Sequence, residues 1–390
     1  MLLGRCATVR YRTITLSESS CQEPFDGYTI SSALTTQDET SLSEQPPETA
    51  RRPTMLNVAA LAGVGLKTVS RVVNGEPGVS PTLEARVRRA IEQLNYRRDA
   101  NASMLRRLGG KTQTIGLVLE DVANPFSSAL HRAIEDSARA RNVLVFAGSC
   151  DEDPRREREL IGTFRDRRVD GIIVVPASHD HAYLYIEQRA GTALVFVDRP
   201  PGHLDADSVA SNNLGGSVEA VEHLLAHGHR RIAFLGDLLS ISTAAERLQG
   251  YTQALERAGI GRDGEELIRT ELRDPEAAAH AVEELLALPD PPTALFTSQN
   301  LSTIGGIRAL RSAALERRIA LIGFDDVVLA DVLDPAISVV AQNPQALGRS
   351  AADLLFRRLD GDASPSVHQV VPVKLIARGS GEIPPAERAP

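Results

Sequence analysis

The chain has 390 residues, 42% of them hydrophobic and 24% charged, enough for two or three soluble domains whose cores need no disulfide framework. Its three scattered cysteines (Cys6, Cys21, Cys150) fit a reducing, cytoplasmic compartment, and no uncharged apolar run reaches the length of a membrane span. The net charge of −8 is unevenly divided: residues 51–111 carry twelve basic and four acidic side chains, net +8, which leaves −16 on the rest. A small basic module on an acidic body points to a polyanion partner for that module alone. The absence of Trp and the 4% aromatic content speak against a protein that stacks single-stranded bases.

Residues 1–51 are rich in Ser, Thr, Glu and Gln without apolar period, and are expected to be a disordered extension. Three short helices are predicted over 54–96. The first spans Met55–Ala62, with Thr54 as N-cap and Asn57 completing a capping box, and it ends at Gly63. A second helix, Lys67–Val73, stops at Asn74-Gly75. The third is capped by Ser80 and begins at Pro81. Val58, Ala59, Ala62, Val64 and Val69 can fill the crossing of the first two, the helix-turn-helix pattern. The second helix then turns Leu66, Lys67, Thr68 and Arg71 outward, where a major groove accepts a helix and a basic side chain reaches guanine. A bare three-helix bundle with a solvated face is the alternative.

A further short helix, Asp99–Arg107, combines small residues with Leu105 and two arginines, which suits either a minor-groove wedge or a plain linker. From Thr114 onward, apolar strands (114–119, 142–147, 170–175, 192–197, 231–236, 293–298, 318–323) alternate with amphipathic helices (Ser127–Arg141, Gly215–His227, Ala244–Ala258, Pro275–Ala287, Ser302–Arg311). This pattern predicts doubly wound parallel sheets in two α/β lobes, with ligand contacts just past the strand ends. The candidates there are Asp121, Asn124, Asp198, Arg199, Gln299, Asn300, Asp325 and Asp326.

Other signals carry less. His179-Asp180-His181 reads as a solvated loop, and His223 and His227 as a surface pair at helical spacing rather than a zinc site. Cys150 reads as a packed thiol. GGKT at 109–112 lacks the first glycine of a phosphate loop. No nucleophile–base pair is visible, so neither an enzyme nor a cofactor is expected.

The stretch NVAALAGVGLKTVSRVVNGEPGVSPTLEARVRRAIEQLNYRRDANASMLRR closely resembles the DNA-binding head of the lactose/galactose repressor (LacI/GalR) family. TIGLVLEDVANPF, DEDPRRERELIGTFRDRRVDGIIVVP, VDRP, EHLLAHGHRRIAFLG, STAAERLQGY and IGFDD resemble that family's core, which is similar to periplasmic sugar-binding proteins. The resemblance runs from Arg52 to about Ser380. It implies a homodimer that binds a pseudo-palindromic double-stranded operator and responds to a small-molecule effector, a sugar or related metabolite. It further implies that Leu66, Lys67 and Arg71 read bases, that Thr68, Ser70 and Asn74 lie near phosphates, and that Leu105 wedges the central step. Phe126, Asp198, Arg199, Arg247, Gln299, Asp325 and Gln342 match the effector cleft.

The expected organisation is an all-α helix-turn-helix head at 52–98, a hinge at 99–111, a two-lobed periplasmic-binding-protein-like core at 112–380 and a tail at 381–390. The first lobe would take 112–211 plus 342–365, and the second 212–341 plus 366–380. Four positions depart from the family pattern: Gly65 for Ser, Arg98-Asp99 for Pro-Asn, Ser103 for Arg, and Gln299-Asn300 for Asn-Asp. The tail has Pro384-Pro385 and no leucine heptad, so a dimer rather than a tetramer is expected. A cytoplasmic solute-binding module without specific DNA recognition is the alternative reading.

Overall fold

The computed structural model describes residues 53–96, 111–261 and 265–386. It divides into two compact units, with the boundary at Arg98. The hinge residues Asp99, Ser103 and Leu105 lie outside the described residues, as do Cys6 and Cys21. Among the described residues no single helix is long and apolar enough to cross a membrane.

The head consists of α1 (Met55–Ala62), α2 (Leu66–Asn74) and α3 (Pro81–Gln93). The capping box forms at α1: the Asn57 amide donates to Thr54 Oγ1, and Asn57 Oδ1 accepts from the Thr54 amide at 2.9 Å. Gly63 ends α1 at φ 59°, a conformation that favours glycine, and a Cβ there would sit 2.8 Å from Arg86. Arg86 itself donates to the Ala62 carbonyl at 2.6 Å, tying α3 to the end of α1. Val58, Val69 and Val87 are fully buried among Ala59, Ala62 and Ala90. Each valine contributes roughly 1.5–3 kcal/mol of burial, and the alanines let short helices approach closely. Val64 packs against this cluster from the turn. Ser80 precedes α3 as expected, but its side chain makes no cap hydrogen bond; Pro81, at the first helical position, lacks an N–H that would have no partner within the helix.

The core contains two six-stranded sheets. The first runs β2 (Leu144–Ser149), β1 (Thr114–Leu119), β3 (Gly171–Val174), β4 (Ala193–Asp198), β5 (Asp207–Ser211) and β11 (His368–Val371), all parallel. The second runs β7 (Ile268–Arg269), β6 (Ile232–Leu235), β8 (Ala294–Thr297), β9 (Ala320–Phe324), β10 (Ser338–Ala341) and β12 (Lys374–Ile376), parallel but for the last pair. In each sheet the first strand in sequence has later strands on both sides, so the order reverses between β1 and β3 and between β6 and β8. Open α/β sheets bind ligands at that reversal, beyond the carboxyl ends of the strands.

Alternation along the strands fills both faces. Ile115, Leu117 and Leu119 pack on the helices Pro125–Ala140 and Pro344–Leu359, while Val118 faces Ile161 and Phe164 of the helix Pro154–Asp166. Gly116 is required by that packing, since a Cβ would lie 2.4 Å from the Phe164 ring.

The chain passes between lobes three times, and two expected boundaries are corrected. The third crossing falls after β11, not at 366, because His368–Val371 pair with Ser208–Ser211 in the first sheet. The tail also begins later than 381. Glu382 accepts from Ser338 Oγ at 2.9 Å, and the Ile383 carbonyl is 2.7 Å from His229 Nε2, so both belong to the second lobe.

Candidate effector cleft and DNA-facing helix

The second helix of the head is the DNA-facing candidate. Leu66 and Lys67 are exposed, Thr68, Ser70, Arg71 and Asn74 are partly exposed, and only Val69 is buried. Asn74 Nδ2 donates to Ser70 Oγ at 3.3 Å and to Glu76 at 3.1 Å, which holds the end of the helix together. Gly65 occupies the N-cap with no side-chain hydrogen bond, and no acidic residue stands in the first turn. The free amides there present partial positive charge, suited to a phosphate.

In the core, one cleft gathers side chains from the carboxyl ends of strands in both sheets. Glu120 follows β1, and Asn124 caps the next helix, placing Phe126 in its first turn. Asp198 ends β4 and Arg199 follows it. Asp237 follows β6, and Thr243, Ala244 and Arg247 lie on the helix Ser242–Arg257. Ser298, Gln299 and Asn300 follow β8, Asp325 follows β9, and Gln342 follows β10. The cavity left between these side chains is about 50 Å³, smaller than the usual small-molecule site, so a sugar enters only when the lobes part. The lobes touch across it: Asn300 Nδ2 donates to Asn124 Oδ1 at 2.8 Å, and His179 Nε2 meets the Ser240 carbonyl.

All eight effector residues expected from sequence line this cleft: Asn124, Phe126, Asp198, Arg199, Arg247, Gln299, Asp325 and Gln342. Two strand-end candidates do not. Asp121 accepts the Ala123 amide in its own turn, and Asp326 makes two 2.7 Å contacts with Arg378. Glu120 and Asp237 line the cleft but were not among those candidates; Glu120 and Asp121 are adjacent acids of like chemistry at one strand end. Register decides between them.

Arg247 is buried and fixed from three sides. Its Nε donates to Asn213 at 2.9 Å, its terminal nitrogen donates to the Ser298 carbonyl at 2.7 Å, and its guanidinium lies 3.9 Å from the Phe324 ring centroid. Arg199 is committed differently. Both terminal nitrogens bind Glu152, at 2.7 and 2.6 Å, and one also reaches the Pro176 carbonyl. Burial opposes its charge, but the Glu152 pair more than compensates, so its pKa is raised.

Asp198 and Asp325 adopt left-handed backbone, at φ 71° and 70°, which is uncommon outside glycine and recurs at functional sites. Burial raises the pKa of each, opposed by Arg199 and Arg247 at Asp198 and by Arg247 and the Gln342 amide at Asp325. Burial likewise raises Asp237. Glu120 is pushed up to about 8 by burial and by Glu152. Asp198 Oδ1, Arg199 Nε, Ser298 Oγ and Gln342 Oε1 are buried without a hydrogen-bond partner. Donors and acceptors left open in one cleft can serve a polyhydroxylated ligand, beside the apolar face of Phe126.

The weaker signals resolve as structure. His181 is not on a solvated loop: it is fully buried, 3.3 Å from Glu157 and edge-on to Phe196. His223 pairs with Glu382 at 2.5 Å. Cys150 is buried, and burial pushes its thiol up to about 12, so it carries no reactive thiolate.

Residues 54–99 match the family described as bacterial regulatory proteins, lacI family, and residues 221–381 match the periplasmic binding protein-like domain. The ribose operon repressor of Escherichia coli (strain K12) is 34% identical over 335 residues, 84% of this chain and 99% of the repressor. The structure of a CelR–cellobiose complex aligns at 31% identity and TM-score 0.63, covering 84% of this chain and all of that one. The lac repressor dimer bound to operator and the anti-inducer ONPF aligns at 25% identity and TM-score 0.71, covering 85% and 99%.

Proposed function

The chain belongs to the lacI family of bacterial regulatory proteins, and we propose that it is a transcriptional repressor whose operator affinity is set by a sugar-like effector bound in the core cleft. It is a regulator and not an enzyme. The observation that carries the effector assignment is the convergence of Arg247, Asp198, Asp325 and Gln342, from four separate segments, on one cleft. Arg247 and the carboxylates clamp neighbouring hydroxyls, and Phe126 covers an apolar ring face.

In the head, Leu66, Lys67 and Arg71 read base edges, while Thr68, Ser70 and Asn74 meet phosphates. Leu105 wedges the central minor-groove step. The protein works in the cytoplasm, on the nucleoid, as a homodimer. Supporting the dimer are large apolar side chains left exposed in each lobe: Leu144 and Phe146 on edge strand β2, and Val328, Leu329 and Val332 after β9. A second copy covers them.

Effector binding selects the closed cleft and shifts the paired first lobes, which changes the spacing at which two hinges fold on DNA. The ligand must favour one state by about 1–3 kcal/mol for a regulatory response. Selection of bound sequences from a random duplex pool at fixed salt tests the reading. Enrichment of a two-fold symmetric site is expected; binding of all sequences with equal salt dependence would leave only a solute-binding core.

A further inference from the structure

The cleft's charges do not balance. Glu120, Asp198, Asp237 and Asp325 line it, and Glu152 borders it. Arg199 is divided between its bidentate pair with Glu152 and an ion pair with Asp198 at 3.4 Å, which leaves two guanidiniums, Arg199 and Arg247, against five carboxylates. Arg273 also lowers Asp237 from outside the lining, without restoring balance. A neutral sugar brings no charge to offset this excess, and unpaired buried charge is costly. Nor does a metal ion suit the site. Hard cations need several oxygens converging at about 2.0–2.6 Å, and among the described residues no three His, Cys, Asp or Glu side chains could hold one. A distributed set of acceptors, including the unpartnered and buried Asp198 Oδ1, fits an organic cation carried on a polar frame.

We propose that the effector carries a primary ammonium group, held between Glu120 of the first lobe and Asp237 of the second, with its hydroxyls on Asp198, Arg247 and Asp325. An amino sugar is the simplest such molecule. The proposal rests on the reading of this cleft as the effector site. Glu120 and Asp237 come from opposite lobes and repel when both are ionised, so a cation between them offsets that repulsion and favours the closed cleft directly. It thus supplies the differential interaction that regulation needs.

The ammonium draws Glu120 into its charged form, so binding releases a proton. The groups acting on Glu120 are Glu152, Asp198 and Asp237, which oppose ionisation, and Arg199, which favours it. Because free Glu120 holds its proton near neutrality, affinity for the amine rises as pH goes from 6 to 7.

Calorimetric titration of the full-length protein with D-glucose and D-glucosamine, D-galactose and D-galactosamine, and D-mannose and D-mannosamine at pH 6 and 7 tests this. In at least one pair the amino member should bind about tenfold more tightly, the scale of one charge-assisted hydrogen bond. That preference should grow with pH and vanish in the Glu120→Gln/Asp237→Asn double variant, which keeps side-chain size. If no amino member exceeds its neutral partner, the ammonium assignment falls. Neutral sugars that bind and are lost in Arg247→Ala would then leave the cleft as effector site. Sugars bound undiminished by Arg247→Ala would remove both readings.

Discussion

At the scale of single residues, Glu120 shows what burial does to a carboxylate. Its folded pKa of about 8 lies above the ordinary 4.5, so between those values the folded protein holds a proton that the unfolded chain has released. Stability contributed by this group is therefore lost as pH rises through that window. Asp198, Asp237 and Asp325 are raised too and act in the same sense. The melting temperature of the ligand-free protein should fall from pH 6 to 8, and Glu120→Gln should flatten that slope. An unchanged slope in the variant would mean Glu120 is ionised and solvated in the free protein.

The eight cleft residues were legible in sequence because each is polar or aromatic and sits at or near a strand end or inside a recognisable motif. Glu120 was not, because its neighbour Asp121 has the same chemistry and only the turn at Ala123 shows which of the two faces inward. His181 was misread for a related reason: a His-Asp-His tripeptide is polar in any window, and the groups that surround its ring, the Pro201 carbonyl bonded to Nδ1 and the Glu157 carboxylate beside Nε2, lie 20 and 24 positions away.

At the scale of elements, local chemistry was the most readable. The first helix starts and stops where Thr54, Asn57 and Gly63 place it. The five core helices expected from periodicity lie within about two residues of their expected bounds, since a fraying end has no sharp chemical mark, while Pro154–Asp166 and Pro344–Leu359 were not among those expected. Short strands were missed. β5 reads Asp-Ser-Val-Ala-Ser and looks like a loop, yet Asp207 is buried against Arg358 through two 2.7 Å hydrogen bonds. β11 alternates exposed and half-buried residues at a sheet edge, so its apolar signal is weak, and the boundary of the lobe was misplaced with it.

The recognition helix offers an element-scale prediction. Gly65 has φ −70° and ψ 150°, open to any residue, and a Cβ there would meet nothing within 4 Å. Gly65→Ser should therefore add a cap worth a few tenths of a kcal/mol, together with a hydroxyl near the proposed phosphate. Operator affinity measured by fluorescence anisotropy at fixed salt should rise. Unchanged or weaker binding would mean the helix N-terminus does not approach the DNA backbone.

At the scale of the whole molecule, two sheets of the same winding place their strand ends on one cleft, and the chain crosses between them three times. Such short crossings allow the lobes to move while keeping each sheet intact. The Asn124–Asn300 hydrogen bond fastens the closed arrangement, and a ligand between the lobes adds to it. The apolar side chains on β2 and after β9 make the assembly testable. Phe146→Asp buries a charge in the proposed dimer surface, and sedimentation should show monomer at concentrations where the parent is a dimer. A parent that sediments as monomer, or a variant that remains dimeric, would move the interface elsewhere.

The central claim is that ligand binding in the cleft controls DNA binding by the head. The most direct measurement is the affinity for the selected operator, with and without each sugar that binds, in the parent protein and in Arg247→Ala. The account predicts a shift of about 5- to 150-fold in the parent, and in the variant the ligand-free operator affinity with no shift. An equal shift in both proteins, or none in the parent with a sugar demonstrably bound, would contradict it.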